Sequence, residues 1–92
     1  MDYTVQFTGQ FKKDAKRCKK RNYKIPLLES AMRSLREKGK VPALLNPHKL
    51  SGNYKGLWEC HLAPDWLLIW KQDDELREIF LERTGTHSDL FK

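Results

Sequence analysis

The chain begins with residues that alternate between apolar and polar. Tyr3, Val5 and Phe7 are separated by single polar residues, and this period of two is typical of a β-strand with one buried face. The sequence therefore predicts an N-terminal strand over this stretch.

Two helices are predicted after this strand. The first begins at Gly9 behind a Thr8 cap and runs to about Arg21, because its apolar residues recur at helical spacing. The second starts near Pro26 and stops at Gly39, a residue type that suits the end of a helix. The two apolar stripes consist of Phe11, Ala15 and Cys18 in the first helix, and of Leu28, Ala31, Met32 and Leu35 in the second.

The rest of the sequence indicates a loop followed by an antiparallel sheet. Residues 40–56 contain too many prolines, glycines and asparagines for a regular element, and a loop of this length is often functional. Turns are predicted at residues 63–65, 73–74 and 84–87, after which residues 90–91 fold back onto the core. The predicted strands are 57–62, 66–70 and 76–82.

Length and composition limit the architecture to one unit. The 92 residues are enough for one domain with a modest core, and 39% hydrophobic with 33% charged residues is the balance of a folded domain. We therefore expect a single α+β domain over residues 1–92, with an N-terminal strand, a helical hairpin, and an antiparallel sheet against which the helices pack. Trp58 and Trp70 are assigned to this packing.

The sequence contains no pattern typical of membrane insertion or export. No segment approaches the ~20 apolar residues that span a bilayer, and the N-terminus lacks a charged region followed by an apolar one. We expect a cytoplasmic protein that does not contact membranes. Cys18 and Cys60 match no metal motif and are too few for a disulfide framework, so both are predicted to be reduced and partly buried.

Positive charge is concentrated in the first predicted helix. The formal net charge is +6, and eight residues from Lys12 to Lys24 are basic whereas only Asp14 is acidic. This surface would attract phosphates and indicates a polyanionic partner, although a merely solvated helix face has the same composition. The candidate residues for binding a polyanion such as RNA are Lys12, Lys13, Lys16, Lys19 and Lys20.

Three histidines are candidates for acid–base chemistry. His48, His61 and His87 lie in the loop, in a strand on its more open face, and beside the C-terminal turn, so one edge of the sheet can bring them together. Histidine titrates near neutrality, so two of them suit a general base and a general acid. RNA cleavage then requires neither a metal nor a cofactor, because the ribose 2′-hydroxyl is the nucleophile. Zinc binding is the weaker alternative, since the histidines are widely spaced and Cys60 faces away from its neighbour His61.

Four further residues are candidates for supporting roles. Arg83 presents a planar guanidinium that matches phosphate oxygens, and Asp65 can orient a histidine. Trp66 and Phe91 carry rings of the kind on which RNA bases stack. Each has an ordinary structural alternative: an ion pair with Glu82 for the arginine, a turn for the aspartate, and core packing for the two aromatic residues.

Three motifs in the second half of the chain are far more specific together than separately. They are His48-Lys-Leu-Ser-Gly, Cys60-His61-Leu-Ala-Pro-Asp65-Trp66, and Glu82-Arg83-Thr-Gly-Thr-His87. In these motifs the chain resembles the YafQ branch of the RelE/ParE toxin superfamily, the toxins of type II toxin–antitoxin pairs. The order of predicted elements is similar over the whole chain, whereas the specific motifs lie within residues 48–91.

The resemblance implies a function, partners and a site. It implies an endoribonuclease that cuts messenger RNA on the 70S ribosome and inhibits translation, with a cognate antitoxin as its inhibitor and operator DNA contacted only through the antitoxin complex. The catalytic positions of the YafQ branch fall on His48, His61, Asp65 and His87, and its supporting positions fall on Arg83, Trp66 and Phe91.

Two other functions are compatible with the same patterns. The ParE branch of the superfamily acts on DNA gyrase without catalysis, and a fold alone does not determine function. A pure binder has no use for His61, Asp65 and His87 together, so these residues favour the nuclease. The third function is RNA or ribosome binding without turnover.

Overall fold

The computed structural model describes residues 2–91, which form one mixed sheet with helices against it. No helix within this range is long and apolar enough to cross a membrane. The elements are β1 (Thr4–Phe7), α1 (Gly9–Lys20), α2 (Ile25–Lys38), β2 (His48–Lys49), β3 (Trp58–Ala63), β4 (Trp66–Asp73), β5 (Glu78–Gly85) and α3 (His87–Leu90), with 3₁₀ turns at Ala43–Leu45 and Gly52–Tyr54.

The strand order across the sheet is β1-β5-β4-β3-β2. The predicted antiparallel sheet is confirmed for β2 to β5, and β1 joins its edge in parallel with β5. The register of β1 runs from Thr4 opposite Glu78 to Phe7 opposite Leu81, so β1 covers only the first half of β5. The backbone edge of the second half of β5 is therefore left for α1 to cover.

The two long helices begin and end as their sequences predict. At the start of α1 the Thr8 hydroxyl accepts a hydrogen bond from the Phe11 amide at 3.0 Å. After α2 the chain turns at Gly39, whose φ of 69° is left-handed and whose Cβ position is occupied by the ring of Tyr3. Only glycine fits this helix end without displacing that ring.

Apolar side chains cover both faces of the sheet. The main core lies between the sheet and the helices, and a smaller cluster on the other face contains Leu67, Ile69 and Leu90. The first five residues of β4, 66–70, are buried on both faces of the sheet, which explains why they are all apolar. The main core includes Phe11, Cys18, Leu28, Ala31, Leu35, Val41, Cys60, Leu62, Trp66, Leu68, Trp70, Ile79 and Leu81.

Both cysteines are free and lie in the main core, with none of their surface exposed. The prediction of reduced thiols is confirmed, although they are buried completely rather than partly. Burial raises the pKa of Cys60 to about 12 and also raises the pKa of Cys18.

The structure corrects the sequence predictions at four places. The predicted turn at residues 84–87 is wrong, because β5 continues to Gly85 and α3 follows it. A capping box between Thr86 and Asp89 starts this helix.

The long loop predicted over residues 40–56 contains the strand β2, which is too short to show a hydrophobic pattern in the sequence. Phe7 is 43% exposed rather than on a buried face. Leu90 folds back as predicted, whereas Phe91 stays half exposed.

Candidate active site

The three histidines come together on the sheet face that is opposite the long helices. The ring centroids of His48 and His61 are 6.2 Å apart, and those of His61 and His87 are 6.1 Å apart. Side chains alternate along a strand, so His61 in β3 faces away from the main core that holds its neighbours Cys60 and Leu62. The convergence expected from the sequence is present in the structure.

His48 is held by a backbone carbonyl and by a buried carboxylate. Its Nδ1 lies 3.0 Å from the carbonyl oxygen of Asn46, and its Nε2 lies 3.0 Å from Oε1 of Glu59. A carbonyl oxygen only accepts, so Nδ1 carries a proton, and a second proton must lie between Nε2 and the carboxylate. Glu59 is only 4% exposed. His48 and Glu59 therefore share a proton on one side of the cluster.

His87 is oriented by Asp65 at the turn between β3 and β4. One carboxylate oxygen of Asp65 accepts from the His87 backbone N–H at 3.0 Å and lies 2.8 Å from His87 Nδ1. These two hydrogen bonds lower the pKa of Asp65, first through the backbone bond and then through the side chain. An ionised Asp65 places the His87 proton on Nδ1. The remaining ring nitrogen, Nε2, has no hydrogen-bond partner within residues 2–91 and is available to a substrate.

His61 lies between the other two histidines, and its ring forms no hydrogen bond within residues 2–91. Its Nδ1 is buried and has no partner among the described residues. Leaving such an atom unpaired costs about 1–3 kcal/mol, and an exception of this kind needs an explanation. This nitrogen is enclosed by the protein, so a substrate can reach His61 only through the other ring nitrogen, Nε2.

Arg83 lies on the same face of the sheet as His61 and is held by a buried carboxylate. Its Nε donates to Asp14 at 2.7 Å and its Nη2 at 3.3 Å, while Nη1 donates to the Tyr54 hydroxyl at 3.3 Å. The hydrogen bond to Asp14 is the largest cause that raises the pKa of Arg83. The partner of Arg83 is therefore Asp14 and not Glu82, the neighbour considered in the sequence alternative.

Asp14 and Glu59 are the two site residues that sequence reasoning missed. Asp14 is 1% exposed and also accepts a hydrogen bond from the Thr84 backbone N–H at 3.2 Å, on the part of β5 that β1 leaves uncovered. Asp14 lies in the apolar stripe of α1, and this position alone indicated a site residue, because a single acidic residue on a buried face needs a buried partner. Glu59 gave no such signal, since it occupies an ordinary polar position of an alternating strand.

The two candidate aromatic residues have opposite environments. Phe91 is half exposed, and its ring lies 6.2 Å from His87 and 5.3 Å from Tyr54, beside a cavity of about 220 Å³. Trp66 is 3% exposed in the main core, where its Nε1 donates to the Thr84 hydroxyl at 2.8 Å. The structure does not bring Trp66 into the cluster. A base could stack on it only if the core opened, so we do not retain its assignment to substrate binding.

The basic helix α1 has two functionally different sides. The five lysines assigned to RNA binding are exposed, and none of them forms an ion pair with the residues that the structure describes. The arginines of the helix point elsewhere: Arg17 pairs with Asp14 at 3.1 Å, and Arg21, just after the helix, pairs with Asp89 at 2.8 Å. The lysine side is therefore free for an external anion.

Other features lie away from the histidines. A larger cavity of about 360 Å³ is found between the end of α2 and the stacked rings of Trp58 and Trp70. It is mostly apolar and holds none of the acid–base groups. Among residues 2–91, no set of three or more His, Cys, Asp or Glu side chains is arranged to hold a metal ion.

Comparison with known proteins identifies the family of this chain. Residues 3–92 match the family model described as the bacterial toxin of the type II toxin–antitoxin system, YafQ. The chain belongs to the YafQ toxin family. The mRNA interferase toxin YafQ of Escherichia coli K12 is 39% identical over 88 residues, which cover 95% of this chain and 94% of that protein.

Solved structures of YafQ share the fold. A mutant YafQ from E. coli superposes with a TM-score of 0.90 at 35% identity, covering 98% of this chain and 99% of that one. YafQ in the E. coli DinJ–YafQ toxin–antitoxin complex superposes with a TM-score of 0.89 at 35% identity, covering all of both chains. Membership of the YafQ family is thus supported by sequence and by fold over the full length.

Proposed function

We propose that this chain is an endoribonuclease, the toxin of a type II toxin–antitoxin pair, which cuts messenger RNA on the ribosome and so inhibits translation. The name of its E. coli relative, mRNA interferase toxin YafQ, supports the activity. The observation that carries the proposal is the row of His48, His61 and His87, in which Asp65 orients the ring of His87 and the ring of His61 forms no hydrogen bond with any described residue.

The reaction needs one proton removed and one proton supplied. His61 takes the proton of the ribose 2′-hydroxyl, whose oxygen then attacks the adjacent phosphorus. The bond from phosphorus to the 5′-oxygen breaks, and His87 Nε2 gives its proton to that leaving oxygen. The products are a 2′,3′-cyclic phosphate and a 5′-hydroxyl end. This chemistry uses no metal and no cofactor.

The two histidines suit these roles for different reasons. The ring of His61 forms no hydrogen bond with residues 2–91, so it is free to act on a substrate, whereas Asp65 fixes the orientation of the His87 ring through Nδ1 and leaves Nε2 without a partner among those residues. His48, with Glu59 behind it, contributes a third exchangeable proton.

The surroundings of the histidines match an RNA chain. Arg83 lies on the sheet face that carries the histidines, and Asp14 holds its guanidinium plane, which suits stabilisation of the charge that develops on the phosphorane. The half-exposed ring of Phe91 borders the cavity of about 220 Å³ and offers a surface on which an unpaired base can stack.

The lysine side of α1 is the proposed contact with ribosomal RNA. Reversing Lys12, Lys16 and Lys19 to Glu should abolish co-sedimentation with 70S ribosomes, because phosphate contacts dominate such binding. A matched control reverses the exposed Lys24, Lys38 and Lys71, which changes the net charge equally. If both variants bind ribosomes like the original chain, the lysine side is not the contact.

The second proposed partner is a cognate antitoxin. The E. coli relative has been crystallised as the DinJ–YafQ toxin–antitoxin complex, and this chain superposes on its toxin over its full length. We infer that an antitoxin inhibits this chain, and that operator DNA is contacted only through that complex. Co-expression with the antitoxin should restore growth of cells that express the toxin.

A reconstituted translation system tests the proposal. The chain should cut a translated message but not the same RNA without ribosomes, and His61→Ala and His87→Ala should each remove most of the cleavage. Full activity in both variants would contradict the mechanism. An intact message together with arrested DNA replication would instead favour the ParE-like alternative, gyrase binding.

A further inference from the structure

The catalytic candidate His87 is carried by an element that cannot hold its position alone. Helix α3 has only four residues, His87–Leu90, and a single isolated turn is unstable in water. Its position therefore depends on contacts with the rest of the molecule. Two contacts lie at its ends: the Asp65 carboxylate accepts from the His87 N–H at 3.0 Å, and Tyr54 donates to the Leu90 carbonyl at 3.2 Å.

Asp89 supplies the contact in the middle of this helix. Its carboxylate accepts two hydrogen bonds from Arg21, at 2.8 Å and 3.2 Å, and a third from the Thr86 backbone N–H at 2.9 Å. The Thr86 hydroxyl in turn accepts from the Asp89 N–H at 3.1 Å. The same side chain therefore caps α3 and ties it to the end of α1.

The surroundings of Asp89 are built closely around its carboxylate. The side chain is only 12% exposed, and Arg17 approaches it at 4.0 Å as a second cation. Gly85 lies directly against it, since a Cβ at that position would be 2.8 Å from Asp89 Oδ2. The hydrogen bond from Arg21 is the main cause that holds the pKa of Asp89 well below its usual range, so the carboxylate stays ionised.

We infer that Asp89 is a positioning residue for His87, and that it acts by fastening α3 to Arg21 of the basic helix. Thr86 and Asp89 close the capping box around the residue that carries the imidazole, so the box sets the direction in which that ring leaves the backbone. Without it, His87 loses its alignment with Asp65. This inference rests on the proposed cleavage function, in which His87 is the proton donor.

A displacement of about 1 Å in a catalytic group costs on the order of 100-fold in rate. We therefore expect Asp89→Asn to lower the single-turnover cleavage rate about 10- to 100-fold at saturating ribosome concentration. The ribosome concentration for half-maximal rate should not change, because the lysine side of α1 is untouched. Arg21→Gln should behave alike, and the double variant should be no slower than either single one, since both break one contact.

Nuclear magnetic resonance gives a readout that does not depend on cleavage. In the original chain the Nδ1–H of His87 should show the downfield proton shift of a hydrogen bond to Asp65, and in Asp89→Asn that shift should be lost while the spectrum of the core is retained. The matched control is Asp2→Asn, which neutralises an exposed carboxylate at the other end of the chain. It should leave both the rate and the His87 signal unchanged.

The possible results separate the two proposals. An unchanged His87 signal in Asp89→Asn overturns the positioning role, whatever the rate. A full cleavage rate at saturating ribosomes overturns it as well. If the original chain itself does not cut a translated message, the proposed function fails, and the His87 signal still decides whether Asp89 orients that ring.

Discussion

The buried carboxylate of Asp14 makes a quantitative prediction about stability. It is 1% exposed and takes hydrogen bonds from Arg83, Arg17, Gln10 and the Thr84 backbone N–H. Asp14→Asn keeps the size of the side chain but removes the charge that balances the Arg83 guanidinium. The variant must therefore lose free energy of unfolding.

The expected loss follows from the degree of burial. Removing one partner of a fully buried ion pair costs about 3–5 kcal/mol. Arg83 is 23% exposed and Arg17 is 41% exposed, so water partly replaces the lost carboxylate. We therefore expect a loss of about 2–3 kcal/mol, below the range for a fully buried pair. For a domain of this size that corresponds to a fall in Tm of about 10–20 °C.

Urea denaturation followed by circular dichroism measures this effect. The midpoint should fall without a change in slope, and Asp2→Asn, at an exposed position, should stay within about 0.5 kcal/mol of the original chain. In a double-mutant cycle, Asp14→Asn combined with Arg83→Met should cost less than the two single losses added together, because each removes the same pair. If the free energy of unfolding of Asp14→Asn is within about 0.5 kcal/mol of that of the original chain, the ion pair between Asp14 and Arg83 does not stabilise the fold as proposed.

Two further predictions concern protons. The pKa values of Asp89 and Asp65 are lowered in the fold, so their contribution to stability is complete above the unfolded value of about 4 and is lost as the pH falls below it. As the pH is lowered below about 4, the unfolding free energy of Asp89→Asn should fall less steeply than that of the original chain. The same steepness in both proteins would contradict this. Burial raises the pKa of Cys60 to about 12 and that of Cys18 as well, so iodoacetamide at pH 8 should label neither thiol until urea is added. Rapid labelling of the native protein would show that the core opens.

Local patterns predict those parts of the fold in which one residue type repeats at a fixed spacing. The stripe of α1 and the apolar run of β4 are both long enough to show which sides are buried. Short elements contain too few residues to show a repeating pattern in the sequence. Strand β2 has two residues, so the pairing that sets His48 opposite Glu59 could not be foreseen.

The candidate site was partly predictable because its groups are chemically distinctive. The three histidines could be predicted as site residues from the acid–base chemistry of their side chains, and the motifs that contain them resemble those of a known family. Asp14 was not nominated, because its partner Arg83 is 69 residues away and only the sheet brings them together. The side on which Trp66 packs depends on where β4 begins after its turn, and the residue type does not reveal this.

In the proposed mechanism the RNA itself supplies the nucleophile, and histidines move the protons. The direct test is cleavage of a ribosome-bound message in which one 2′-hydroxyl, next to the phosphate that is cut, is replaced by hydrogen. We predict that the modified position is not cut, while the unmodified message gives an upstream fragment ending in a 2′,3′-cyclic phosphate. Cleavage of the modified message at the unmodified rate would contradict this mechanism.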